Sequence, residues 1–386
     1  MCVSVLPSLK ISALSNPLDA DLTELFTPDQ LSMPDADVAN QNPEGAAKPV
    51  SSLLQGSDGE TLTDSVDATE ESKSRQIHDE LGMGILLGIC AAIGYSGANL
   101  ALRQLAIPND PGWAIWVTAN KAIPAALIAW FMIIVQWSKG QPGLPPARMI
   151  WRLILVGLVM QYAGNFMFQW SLSLGGLAVT VPICFSMLII AGAWMSRLVC
   201  GEEVSRKTMG AIGILIVSVA VLSSGAGSAT TSMGHEHSLL TTTLAIVSAA
   251  VSGIAYGATG VVVRRLVTGT LTIPSSLVVL STTGAVTMTG HSFLLDGPTK
   301  LFALSEGHWP AIIGAGVMNA AAFFAVAGSL KRIPVTFLNI LNASQNAMCA
   351  IGGVMLFAEP TTWPLIIGCG LTIFGILLVD RGKPVG

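Results

Sequence analysis

The sequence predicts an all-α integral membrane protein whose ten transmembrane helices form two inverted five-helix repeats. Three observations carry that expectation. Apolar stretches long enough to cross a hydrocarbon core of about 30 Å recur almost without pause from residue 82 onward. The composition is 52% hydrophobic and 11% charged with a mean hydropathy of +0.65, which is membrane-protein usage. One segment also occurs twice. AIGYSGANLALRQL at 92–105 and GIAYGATGVVVRRL at 253–266 set Tyr95 over Tyr256, Arg103 over Arg264 and Leu105 over Leu266 at an offset of 161, in a chain with three tyrosines.

The N-terminal stretch is of another kind. Residues 1–80 hold 15 of the 23 Asp and Glu but 4 of the 19 Lys and Arg, so this region is net −11 and the remainder net +7. Residues 1–77 are rich in Ser, Asp, Glu, Pro and Gly, with short apolar runs such as LTELF, and cannot bury enough apolar surface to offset the entropy of ordering. They are expected to form a disordered acidic cytoplasmic tail, in part an over-extended start. MCVSVLPSLKISALS lacks the basic-then-apolar order of a cleavable signal. The six cysteines show no CxxC spacing, which argues against a disulfide framework or a metal cluster.

Taken in order, the spans are expected at 82–102, 112–136, 150–172, 176–197, 208–225, 239–263, 271–294, 309–330, 334–357 and 362–380. Each should be helical, because backbone polar groups find no water in lipid and no barrel-type alternation is visible. With the N-terminus inside, the cytoplasmic connections and tails carry 14 basic residues from Lys73 to Lys383, and the outer connections carry only Arg103 and Lys300. That asymmetry places both termini in the cytoplasm.

Tyr95 and Tyr256 fall in the first and sixth spans, so the repeat unit is five helices, and an odd unit inverts the second copy. Val159-Met160 matches Val317-Met318, Phe166 matches Phe324 and Ser171-Leu172 matches Ser329-Leu330, all at an offset of 158. Glu202 precedes Glu359 by 157 residues. The expected organisation is the tail at 1–77, a first five-helix repeat at 78–225 and a second, inverted, at 239–380.

The Gly/Ala-rich first helix of each half, AAIGYSGANLAL and SGIAYGATGVVV, and the two half-ends, GEEVSRKTMGAIGILIVSVAVL from 201 and AEPTTWPLIIGCGLTIFGILLV from 358, carry a resemblance. Over residues 82–380 the chain resembles the drug/metabolite transporter superfamily, specifically its EamA-type ten-helix members. The resemblance implies a central cavity built by helices 1–4 and 6–9, with helices 5 and 10 peripheral. It also implies a basic residue in helix two, a place that Lys121 takes, and a proline within helices four and nine. Pro182 serves the first of these, but only Pro334, at its start, serves the second. Helix seven has no basic counterpart.

Several residues stand out as candidates for substrate binding. Lys121, about ten residues into its span, is the one full charge placed deep in a helix, at a cost of ~2.5–3.5 kcal/mol on insertion scales. It either snorkels to helix-end carbonyls or acts as a counter-ion to substrate. Asn339, Asn342 and Asn346 stand at i, i+3 and i+7 with Gln345 at the edge of their stripe, and Gln161, Asn165 and Gln169 at i, i+4 and i+8 make another. These stripes are either interhelical glue, at ~0.6 kcal/mol per bond, or the lining of a polar cavity. Asn99, Tyr95 and Tyr256 join the binding candidates, the tyrosines lying too far inside their spans for an interfacial belt. Trp113, Trp116, Trp130, Trp137 and Trp309 are read as belt or rim residues. Gly84/Gly88 and Gly253/Gly257 form GxxxG pairs that allow close helix approach.

Glu202 and Glu359 sit at helix boundaries, as N-caps of spans five and ten or as gating residues. His235-Glu236-His237 lacks a third partner for a metal. No nucleophile–base arrangement, phosphate-cradling loop or ATP motif appears, so neither an enzyme nor a primary pump is expected, and no cofactor. The functional expectation is a secondary transporter or facilitator of the inner or plasma membrane that moves a small polar metabolite by alternating access. A membrane scaffold or sensor that docks through the acidic tail is the alternative. Expected partners are the small-molecule substrate and the lipid bilayer, with a homodimer left open and no nucleic acid.

Overall fold

Long runs of Leu, Ile, Val, Ala and Gly without water to satisfy their backbone leave the α-helix as the available local structure. The computed structural model describes residues 59–107, 110–202, 204–224, 239–269, 271–302, 308–357 and 361–378. Two compact units, Met1–Asp67 and Ala68–Gly386, divide the chain, and the helical bundle belongs to the second. In order, the helices are α1 (Gly59–Gln104), α2 (Pro111–Ser138), α3 (Ala147–Val159), a π-helical stretch (Met160–Phe166), α4 (Met167–Cys200), α5 (Arg206–Ser224), α6 (Leu239–Val267), α7 (Ile273–Phe302), α8 (Trp309–Leu330), α9 (Val335–Asn342), α10 (Ser344–Phe357) and α11 (Trp363–Leu378).

Eight stretches among the described residues are helical, long and apolar enough to cross a membrane, which makes this a multi-pass membrane protein. Two of them share α4, which turns at Gly176 (φ 67°, ψ −173°), so that Ala147–Leu177 and Val179–Cys200 run as separate crossings. A positive φ of this kind is open to glycine at little cost. α5 and α11 take the places of the expected fifth and tenth spans, the apolar part of α11 being short, Ile366–Leu378. Val335–Phe357, at the place of the expected ninth span, is divided into α9 and α10 by a turn at Ala343.

The start of α1 differs from expectation. Residues 59–77, assigned to a disordered tail, continue the first helix. Elongating a helix that the membrane segment has already nucleated adds one hydrogen bond for each residue fixed, and ATEESKSRQ is rich in good helix formers. The remainder of the expected tail lies outside the described residues.

Large apolar side chains point outward, Phe131, Leu294 and Met355 among them, while Ala, Gly and Ser dominate the helix–helix seams. Small residues let backbones approach closely where no hydrophobic effect drives helices together. The GxxxG pair of α6 does this against α4: a Cβ on Gly257 would stand 2.8 Å from the amide nitrogen of Gly192 and 2.9 Å from the carbonyl oxygen of Leu188. The other pair, in α1, meets the region from α8 into α9, where Gly84 faces Ile333 and Gly88 faces Leu341 and Leu338. The first helix of each half thus packs on helices of the other half. α2 pairs with α7 and α5 with α11 in the same reciprocal manner. One buried apolar cluster accordingly mixes the halves, joining Ala125, Ile189 and Leu215 to Val261, Leu277, Phe323 and Leu338.

The tryptophans divide. Trp137 and Trp309 are exposed, as rim residues should be, whereas Trp116 is buried and stacks on Trp113 at 4.8 Å between ring centroids. Trp113 in turn donates its Nε1–H to the carbonyl of Leu105 at 2.6 Å. These two rings close the end of α1 onto α2 and do not form a belt.

Candidate functional site

A cavity lies among α1, α2, the π-helical stretch, α4, α6, α8, α9 and α10, with about 970 Å³ of space unoccupied by protein atoms, part of it open to solvent. Eight of the expected binding residues line it: Tyr95, Asn99, Lys121, Asn165, Tyr256, Asn339, Asn342 and Gln345. The described residues of α5 and α11 contribute nothing to the wall. Nor does α7, where the resemblance implied a cavity helix: the side chain of Gln161 fills the space beside Gly284 of α7.

Lys121 and Asn165 anchor one polar chain. Lys121 Nζ donates to Asn165 Oδ1 at 2.8 Å, and the hydroxyl of Tyr256 donates to the same oxygen at 2.9 Å. An ammonium only donates, so Asn165 must present its oxygen to it and turn its Nδ2–H toward Gln161 Oε1, which accepts at 2.9 Å. A second chain runs from Asn99 Nδ2 to Gln345 Oε1 at 3.4 Å, and from Gln345 Nε2 to Asn342 Oδ1 at 3.2 Å. Lys121 is buried, yet no carboxylate is among the described lining residues. Asn339 Nδ2, held in the space that Gly192 leaves in α4, is a buried donor with no protein acceptor. A buried cation against a neutral oxygen, in the same cavity as an orphaned N–H, is an arrangement that gains from an incoming anion or carbonyl.

Three expected residues do not reach the cavity wall. Gln161 stands behind Asn165 as its acceptor. Gln169 and Asn346 are buried elsewhere, and Gln169 Oε1 and both amide atoms of Asn346 have no partner. The reasons lie in the backbone. A π-helical turn takes more residues than an α-turn, so Met160–Phe166 rotates the helix that follows and carries Gln169 off the stripe. At the α9–α10 junction the amide of Ala343 bonds the carbonyl of Ile340 and that of Asn346 bonds Ala343, both with i→i−3 spacing. Residues three apart eclipse in such a turn, which sets Gln345 under Asn342 and moves Asn346 away.

The wall also contains residues that were not expected. Asn319 of α8, Thr259 of α6 and Cys184 of α4 join it, with Phe168, Phe185 and Phe323 as its aromatic side. Asn319 stands alone in an apolar run and Cys184 reads as a small hydrophobe, so neither forms a stripe. A polar residue isolated in a span was the available signal.

Glu202 performs a capping role at a different helix from the expected one. Its Oε2 accepts from Ser196 Oγ at 2.6 Å and from the backbone amide of Val335 at 3.0 Å, while Oε1 receives Arg264 Nε at 3.2 Å. The carboxylate therefore caps α9, and Ser205 caps α5 by accepting from the amide of Thr208 at 3.2 Å. Arg264, buried, also donates to the carbonyl of Leu330 at the end of α8. One carboxylate thus ties together the ends of α4, α6 and α8 and the start of α9. Glu359 and His235-Glu236-His237 lie outside the described residues.

Residues 243–380 match the EamA-like transporter family. A solved structure described as "Crystal structure of protein" superposes with a TM-score of 0.56 at 17% identity, covering 76% of this chain and 95% of that one, a likeness of fold. No curated protein matches.

Proposed function

We propose, from the match of residues 243–380 to the EamA-like transporter family, that the whole chain is a secondary transporter or facilitator built from two inverted five-helix repeats. The reciprocal packing supports the duplication, since α1 meets the region from α8 into α9 as α6 meets α4, and α2–α7 and α5–α11 are pairs that a two-fold exchange would map onto themselves. Substrate sites of inverted-repeat transporters lie at the interface between repeats. The cavity described above is walled by helices of both halves.

The cargo in this reading is a small polar metabolite that carries a carboxylate or comparable anionic group. The observation that supports it is Lys121, buried in the cavity and bonded to the neutral oxygen of Asn165 with no carboxylate among the described residues of the wall. Asn339, Asn342 and Gln345 supply donors and acceptors for the rest of the ligand, and Phe168, Phe185 and Phe323 an apolar side. Alternating access exposes this cavity to each face in turn, in the inner or plasma membrane with both termini in the cytoplasm. Counterflow in proteoliposomes containing the full chain tests the reading. Uptake of a labelled organic anion driven by its own unlabelled form is expected, and absence of counterflow for anions that the protein makes cells accumulate or lose would overturn it.

A further inference from the structure

A second concavity opens at the end of the bundle that carries Arg264, Lys331 and Arg332. It holds about 1610 Å³, part of it open to solvent, and its lining divides into two chemistries. Arg264, Lys331 and Arg332 give a cationic rim, with no carboxylate among the described lining residues. Leu87 of α1, Met132 of α2 and Phe324 of α8 give an apolar wall from three helices. The neighbours Leu86 and Phe131 are exposed, so the wall continues into the apolar outer surface of the bundle.

Two of the three cations are held in place from behind. Arg264 donates to Glu202 and to the carbonyl of Leu330, and Arg332 donates to Glu80 at 2.7 Å and to the carbonyl of Gly328 at 2.9 Å. Arg264 is buried to 4% exposure while lining the cleft. Lys331 is exposed on the turn between α8 and α9. Guanidinium groups held by other partners beside an exposed ammonium suit a phosphate, because arginine supplies directional donors and lysine a point charge. A soluble phosphate would leave the Leu87, Met132 and Phe324 wall uncovered. A molecule with both a phosphate and an acyl chain covers it.

We infer that this cleft is a binding site for an anionic phospholipid, with its phosphate at Lys331, Arg332 and Arg264 and one acyl chain along Leu87, Met132 and Phe324. The site is separate from the central cavity and does not depend on what the protein transports.

The test uses purified full-length protein in mild detergent, with thermal unfolding read against added phosphatidylglycerol, phosphatidylcholine or free sn-glycerol 3-phosphate. Phosphatidylglycerol is expected to raise the midpoint in a saturable manner and the other two are not. A basic residue near an anionic surface contributes about 1 kcal/mol, so Lys331→Gln should weaken the half-saturating phosphatidylglycerol concentration about five-fold, and Lys331→Glu more. A Met132→Trp variant, which fills the wall and keeps every charge, should weaken it as well. Equal stabilisation by phosphatidylcholine, or unchanged lipid response in Lys331→Glu, would overturn the site. Glycerol 3-phosphate acting as well as the lipid would overturn the acyl-chain assignment and leave a soluble anion as the occupant.

Discussion

Lys121 and Asn165, 44 residues apart, meet at 2.8 Å inside the bundle, and the oxygen that receives the ammonium also receives the hydroxyl of Tyr256. A charge bonded to a neutral dipole keeps most of its field, and an ammonium has three donors of which this contact uses one. Substitution should therefore separate ligands by charge. Lys121→Met is expected to abolish transport of an anionic ligand, Lys121→Arg to retain part, and matched neutral analogues to change much less. Equal flux of both ligand classes through wild type and Lys121→Met would refute the counter-ion role.

The amides inside and outside the cavity should respond differently. Asn165→Leu and Asn342→Leu delete a donor and an acceptor from the wall, leaving a bound polar group unpaired at ~1–3 kcal/mol, so affinity should fall about tenfold or more with normal expression. Asn346→Leu removes two buried amide atoms that have no partner, and should leave affinity unchanged and stability equal or higher by up to ~1 kcal/mol. Flux kinetics and thermal unfolding on the same preparations distinguish the two patterns.

Breaking the Glu202 clamp should be costly in a non-additive way. Glu202→Ala strands Arg264, which is 4% exposed in the pair, and unpairing a buried charge costs about 3–5 kcal/mol. The double variant Glu202→Ala/Arg264→Met removes both charges and should lose less than the single Glu202→Ala. A double-mutant cycle in thermal unfolding measures the coupling, and purely additive losses would count against it.

Helix approach predicts a contrast between glycines. Gly257→Val would drive a side chain into the Gly192 and Leu188 backbone, which cannot yield as a side-chain tip can, and should reduce folded protein severely. Gly213 of α5 has open space around it, so Gly213→Ala should raise stability by up to ~1 kcal/mol through helix propensity alone. Fluorescence-detected size exclusion after graded heating reads both.

Orientation follows from the basic asymmetry. Single cysteines placed at 226–238 in a cysteine-free background should react with an impermeant reagent from outside, and those at 139–148 should not. The opposite pattern would reverse the assignment of both termini.

What the sequence made legible was whatever depends on helical periodicity. Lys121, Tyr95 and Tyr256 were recognisable as deep polar groups because their distance from the span ends needs only a rise per residue. Gln169 and Asn346 were misplaced because a regular 3.6-residue period was carried through segments where the backbone leaves it, at Met160–Phe166 and at Ala343. Neither irregularity is marked by a proline. The Glu202 contact with Val335 spans 133 residues and no local pattern could contain it, although a carboxylate beside a helix end was enough to single the residue out. Asn319 escaped notice because a lone amide forms no stripe.

The pairing of α5 with α11 bears on how the chain is made. Ser218 donates to the carbonyl of Gly368 at 2.6 Å and lies 2.6 Å from the hydroxyl of Thr372, so a buried hydroxyl of α5 has its partners in α11, 150 residues further along the chain. Synthesis at roughly 5–20 residues per second puts roughly 8–30 s between the two. During that interval the α5 face is without its mate. A chain that stops before Gly368 would keep the Ser218 face uncovered, a feature by which quality-control machinery could tell an unfinished molecule from a finished one.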